Sequence, residues 1–350
     1  MSVVAMTLLL VTGCSPVIDR SAMPDGNDTQ SGLEIDSGLK PTKQAEQVAE
    51  SPATETGRDD RSGRIELFPK ADFLRERIPD DPRIDLRSKQ IIEGLNQPGD
   101  PASAMLVDYG IPIYVAGPDT PLVEISCTDT GRGVCGPERL SPIRMPAGAT
   151  PNDGSDGALV IVDTIGRTTH ELWRASEQAD GSWTAQWGSS NDIDGDAIAE
   201  NGGSGSGVSR LGGVITVDEL AAGTIPHALA IASSATCAQA WRAPAWTTDG
   251  RTESDDCIEM GSRLQLDPSI DLDSLSLTTA ERMVGEALQV YGGYIVDSSA
   301  SELALFVERE DEARNGEIGP VAEMIGFRWD YDPLSGLPWD RLRVIDAAVT

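Results

Sequence analysis

Apolar residues in this chain fall into short runs, each closed off by glycine, proline or aspartate, with few long stretches of helical period. Positions 111–115, 122–125, 158–162, 169–175, 182–187, 227–232, 263–266, 294–298, 303–308 and 342–345 carry β-branched, aromatic or leucine residues and predict strands. Asp180-Gly181 between two of these runs is a hairpin signal. Helical period shows in three places. Ile91, Ile92 and Leu95 fall on one side of a helix predicted over 86–95. Thr278-Thr279-Ala280-Glu281 reads as a capping box ahead of Ala280, Met283, Val284, Ala287, Leu288 and Tyr291, with Gly292 as the stop. A shorter helix is expected from Asp218. Many strands at regular spacing with one or two short helices predict an all-β fold, a β-sandwich or jelly roll, and not βαβ units. That domain is expected to occupy 66–350 as a single unit, with 66–100 as an N-terminal brace.

The first thirteen residues break this pattern. They form an apolar run, too short to span a bilayer, that ends at Leu10-Val11-Thr12-Gly13-Cys14. The run matches the apolar region of a secretory signal, although no basic residue precedes it. Small residues ahead of a cysteine are the pattern of a bacterial lipobox, so residues 1–13 are expected to be a lipoprotein signal peptide and Cys14 the lipidated residue. Lipidation would place the protein at the cell membrane, on the extracytoplasmic face, held by the lipid alone. An ordinary signal peptide with an incidental cysteine is the alternative. Residues 14–65 are rich in Ser, Asp, Glu, Gly, Thr and Pro with almost no apolar cluster, and predict a disordered acidic tether.

Export changes the reading of the cysteines. Beyond Cys14 there are four, Cys127, Cys135, Cys237 and Cys257, and an even count in an oxidising compartment predicts disulfides. Local pairing, Cys127 with Cys135 and Cys237 with Cys257, is favoured because the intervening stretches look like loops that fold back. No C-x-x-C spacing occurs and the chain has two histidines, so zinc is not expected. Charge narrows the partners. Lys+Arg 27 against Asp+Glu 57 gives a formal charge of -30, which repels phosphate backbones and excludes nucleic acid as the expected partner.

Several segments carry candidate chemistry. Asp192-Ile193-Asp194-Gly195-Asp196 sets oxygen ligands at alternate positions, as a calcium loop does, but lacks that loop's later glycine and glutamate. Asp192, Asp194 and Asp196 are therefore either a calcium site or an acidic loop in water, and no other cofactor is expected. Gly202-Gly203-Ser204-Gly205-Ser206-Gly207, followed by Val208-Ser209-Arg210, has no clear flanking strand and helix for a phosphate cradle and predicts a mobile loop beside a cleft. Trp173, Trp183 and Trp187 sit in strand text, with Trp173 and Glu171 on one face by period two. Such rings either stack on sugars, with Tyr294 beside them, or fill the core between sheets. Glu171, His227, Arg263 and Asp297 are ionisable residues in or beside apolar runs. If they meet, Glu171 and His227 could serve as acid and base while Arg263 holds an oxyanion; a Glu171–Arg263 ion pair is the alternative. No G-x-S-x-G occurs, so a serine nucleophile elbow is not supported.

The text Glu171-Leu172-Trp173, Gly223-Thr224-Ile225-Pro226-His227-Ala228-Leu229, Met260-Gly261-Ser262-Arg263-Leu264 and Ala287 to Asp297 resembles a family of exported bacterial β-rich proteins of unestablished activity, in lipoprotein form. Where that family has Asp-Asn-Gly, this chain has Asp297-Ser298-Ser299. The order of Arg167–Arg174, His227 and Tyr291/Tyr294 more loosely resembles jelly-roll polysaccharide lyases. The expected function is a membrane-anchored extracellular lipoprotein whose β-sandwich binds or processes glycan, neutral chains being favoured by the acidic charge. A glycoside hydrolase or lyase, a stacking module and a structural envelope lipoprotein with no small ligand remain distinct alternatives.

Overall fold

The computed structural model describes residues 66–95, 102–128, 142–198 and 203–346. The signal segment, Cys14, the tether and Cys135 lie outside them. Among the described residues the chain is mostly strand, in several sheets, with five short helices. The all-β expectation holds.

The larger sheet has seven strands. In spatial order they are Asp332–Pro333, Ser103–Met105, Ala304–Phe306, Leu229–Ser233, Gly293–Ser298, Arg263–Leu266 and Leu342–Ile345. Side chains alternate across it. Leu229, Ile231, Ile295, Leu305, Leu264 and Val344 point into one core, where the helices Ser88–Leu95 and Thr279–Val290 supply Ile91, Ile92, Leu95, Met283, Val284 and Leu288. Ala228, Ala230, Ala232, Tyr294, Val296, Ala304 and Phe306 point the other way. There they meet Val160 of the second sheet, whose four strands are Trp187–Asp192, Thr168–Trp173, Leu159–Asp163 and Ile113–Ala116. Leu159 and Ile161 turn to a further core with Trp183, Ile125 and Ile143. Two sheets thus share an apolar layer, as a sandwich requires.

Both sheets are mixed. Ser103–Met105 runs parallel to Ala304–Phe306, Leu229–Ser233 parallel to Gly293–Ser298, and Ile113–Ala116 parallel to Leu159–Asp163. These pairings differ from the antiparallel double Greek key of a jelly roll.

The helix start predicted at Thr278 is real, and the helix expected from Asp218 begins one residue earlier, at Val217. Thr278 accepts from the Glu281 N–H while Glu281 reaches back to the Thr278 N–H. The same reciprocal box, Thr216 with Glu219, starts the helix Val217–Ala222. Cys237 and Cys257 form a disulfide. Cys127 is also disulfide-bonded. No helix of the described residues is long and apolar enough to cross a membrane.

Candidate functional site

The parallel pair Leu229–Ser233 and Gly293–Ser298 contains a bulge. Ile231 pairs with Ile295, but Ala232 pairs with Asp297, so Val296 is the extra residue. Strict alternation would send Asp297 to the helix-covered face. The bulge resets the alternation and brings Asp297 to the face of Ala232. Ala232 in turn pairs with Ala304. A row of Asp297, Ala232 and Ala304 crosses the end of the sheet, and the two methyl side chains leave space above them.

That space is a cavity of about 290 Å³, lined by Met105, Tyr109, Asp156, Arg210, Asp297, Ser298, Phe306 and Tyr331 among others. Its charged groups are few. Asp297 accepts from the Gly205 N–H at 3.2 Å and the Ser298 N–H at 3.0 Å. Asp156 accepts from Trp173 Nε1 at 3.0 Å. The Arg210 guanidinium approaches Asp297 at 3.8 Å. Arg210 is 9% exposed, and among the described residues its guanidinium makes no hydrogen bond. The guanidinium thus lines the cavity with N–H donors that no protein acceptor takes, and Asp297 is its ion-pair partner. Burial pushes the Asp297 carboxyl up to about 7, with Arg210 opposing, and Asp249 and Asp156 adding to the rise. Tyr109 and Tyr331 form one wall, ring centroids 6.3 Å apart. Tyr331 holds φ 56°, a left-handed conformation unusual for a bulky residue. Its hydroxyl donates to Asp108, and Asp330 beside it accepts from the Leu106, Val107 and Asp108 N–H groups.

The glycine-rich loop, expected to be mobile, is packed into the fold and carries Arg210 into the cavity wall. Ser206, Gly207, Val208, Ser209 and Arg210 are all buried. The Ser206 N–H donates to Val296 O, and Ser206 O accepts from the Trp246 N–H. Glycine is required because neighbours leave no room. A Cβ at Gly203 would lie 1.7 Å from Glu171 Oε2, and one at Gly207, at φ 84°, would lie 2.1 Å from Trp246 Nε1.

The predicted catalytic residues are not brought together. Glu171, on the strand Thr168–Trp173, is 2% exposed and accepts from Asn191 Nδ2 at 2.8 Å, the Arg210 N–H at 2.9 Å and the Ser209 hydroxyl. Burial raises its pKa, and these donors oppose the rise. It anchors the glycine-rich loop to the second sheet. His227 pairs with Glu219 at 3.1 Å and Arg263 belongs to the first sheet. Burial works against the His227 charge, but the Glu219 hydrogen bond and charge outweigh it and hold its pKa up. Arg263 donates to Tyr291 O and Glu76 O and lies over the Tyr294 ring. It therefore neither pairs with Glu171 nor faces the cavity. Of the four, Asp297 alone lines the cavity.

The aromatic expectations divide likewise. Trp183 is core, 3% exposed, among Ile125, Ile143 and Leu159. Tyr294 is buried edge-on against Phe73, and burial raises its pKa. Trp173 and Trp187 face each other across paired strands, but the Arg174 guanidinium covers the Trp173 ring at 4.4 Å. A covered ring is a poor sugar platform, and the contribution of Trp173 to the cavity is its hold on Asp156. In the acidic loop, Asp194 is engaged by Arg167, while Asp192 and Asp196 accept backbone N–H groups of Asp194 and Ile198. Among the described residues no three His, Cys, Asp or Glu side chains are grouped to hold a metal ion. Sequence reasoning missed Arg210, Asp156, Tyr109 and Tyr331. The one signal, for Arg210 alone, was a charged residue closing a glycine-rich run.

No protein-family model, curated protein or solved structure matches the chain.

Proposed function

We propose that this protein is an exported, lipid-anchored binding protein that seats one sugar of a glycan in the cavity above Asp297. The observation that carries the reading is Arg210, a largely buried side chain whose guanidinium donors make no hydrogen bond to the described residues, standing with Asp297 and Asp156 on the wall of a space large enough for a single ring. Sugar hydroxyls both donate and accept. Vicinal hydroxyls can therefore take Arg210 donors and give to Asp297 and Asp156 together. Met105, Phe306 and the two tyrosines offer the apolar surface that a ring's C–H face needs. The carboxylates disfavour polyuronates, so chains free of carboxylate are preferred. Binding without turnover is the preferred form, because Glu171 and His227 are spent on structural contacts.

The Cys14 lipobox pattern supports anchoring at the extracytoplasmic face. Cys14→Ser should move the protein from the detergent phase to the medium, and retention in the membrane would refute the anchor. The full Cys14→Ser chain, titrated calorimetrically with a panel of oligosaccharides, should bind members lacking carboxylates, and Arg210→Met should lower that affinity at least tenfold. Binding unchanged by Arg210→Met would remove the site. A structural envelope lipoprotein is the second reading, favoured by the complete engagement of Glu171 and His227; it predicts no saccharide binding at all.

A further inference from the structure

Asp297 faces three charged groups: Arg210, Asp249 and Asp156. Ser298 draws Asp249 into place, donating to its Oδ1 at 2.7 Å, and Asp156 lines the same cavity. Three carboxylates thus share one guanidinium, and that guanidinium stands 3.8 Å from Asp297, beyond hydrogen-bonding distance. With all three ionised such a cluster carries a net charge of -2. In the empty cavity a proton on Asp297 offsets part of it, and Asp297 accordingly holds its proton up to about pH 7. A cationic group of a ligand could take that proton's place.

The walls fit that group. Tyr109 and Tyr331 line it with aromatic rings, a surface that favours an ammonium, and Asp297 and Asp156 present acceptors. Arg210 supplies the opposite need, donors for an oxygen beside the cation. A ligand carboxylate would meet Arg210 but would also meet Asp297 and Asp156. At net -30 the whole chain raises the local concentration of cations.

We infer that the sugar taken by this cavity is a 2-amino sugar with a free ammonium, its nitrogen toward Asp297 and Asp156 and a neighbouring hydroxyl oxygen toward Arg210. The inference rests on the glycan reading and narrows it to a substrate class. Binding exchanges one positive charge for another: the ammonium enters and the Asp297 proton leaves to solvent.

The test is calorimetric titration of the full Cys14→Ser chain with glucosamine, glucose, N-acetylglucosamine, glucuronate and the non-sugar amino alcohol serinol. Glucosamine should bind at least tenfold tighter than glucose or N-acetylglucosamine at pH 7, and glucuronate weakest. At pH 6 glucosamine should release a proton, read as a heat that varies with the ionisation enthalpy of the buffer. Asp297→Asn should abolish the proton release. Asp156→Asn keeps the oxygen that accepts from Trp173 Nε1, and should reduce the preference for glucosamine with the fold intact. Equal binding of glucose and glucosamine would overturn the amine inference and leave the glycan reading standing. Serinol binding with no saccharide bound would overturn the glycan reading and confine the site to small amines. No binding by any of the five would overturn both.

Discussion

At the scale of single residues, Asp297 is held against its own interest. Its carboxyl titrates near 7 in the folded chain against a usual 3.8, because burial and the Asp249 and Asp156 charges outweigh Arg210. Between those two pH values the folded state binds the extra proton. Stability is therefore highest below about pH 4 for this group and falls as pH rises toward 7, by on the order of 4 kcal/mol. Asp297→Asn removes the charge and keeps the shape. Denaturant titration at pH 8 should find the variant more stable than the parent, with a flatter stability profile from pH 4 to 7, although its ligand affinity falls. A variant less stable than the parent at pH 8 would contradict the burial of an ionised Asp297. Such a trade of stability for binding is common at functional sites. Glu171 contrasts with it: more deeply buried, but surrounded by donors, it serves as an anchor.

At the scale of elements, two irregularities make the site. The bulge at Val296 turns Asp297 onto the cavity face, and the 203–210 loop, buried over 206–210, brings Arg210 beside it. The loop fits because its glycines allow Glu171 and Trp246 to approach the backbone closely. Gly207→Ala would add a Cβ into the Trp246 ring at a left-handed φ of 84°. The cost should be about 2–4 kcal/mol, combining backbone strain and overpacking. Chemical denaturation followed by tryptophan fluorescence measures it. A change below about 0.5 kcal/mol would show that the loop is not packed against Trp246.

At the scale of the whole molecule, the Cys237–Cys257 bridge closes a segment that contains both Trp246 and Asp249. It thus fixes the residue behind Gly207 and one carboxylate of the site together. With 20 residues of sequence separation, the loop-entropy argument assigns the bridge about 3 kcal/mol. The double variant Cys237→Ala, Cys257→Ala should lose about that much stability. Equal stability of the oxidised parent and the double variant would refute the argument.

Much of the secondary structure was legible in the order of residues, because it depends on neighbours a few positions apart. The capping box at Thr278, the period of Ile91, Ile92 and Leu95, and the strands at 263–266 and 342–345 are all local patterns. The all-β class and the Cys237–Cys257 pairing followed from the same text. The site did not. Glu171 and Arg263 each looked like a charge beside a core, yet the fold assigns them to different sheets and gives each its own partners. Asp297, Arg210 and Asp156 are far apart in sequence, and they meet through a one-residue register shift and a loop threaded between packed groups. Local pattern decides which segments are strands and helices, since it acts through backbone geometry. Only tertiary packing decides which charges share a cavity, since that depends on which faces end up buried together.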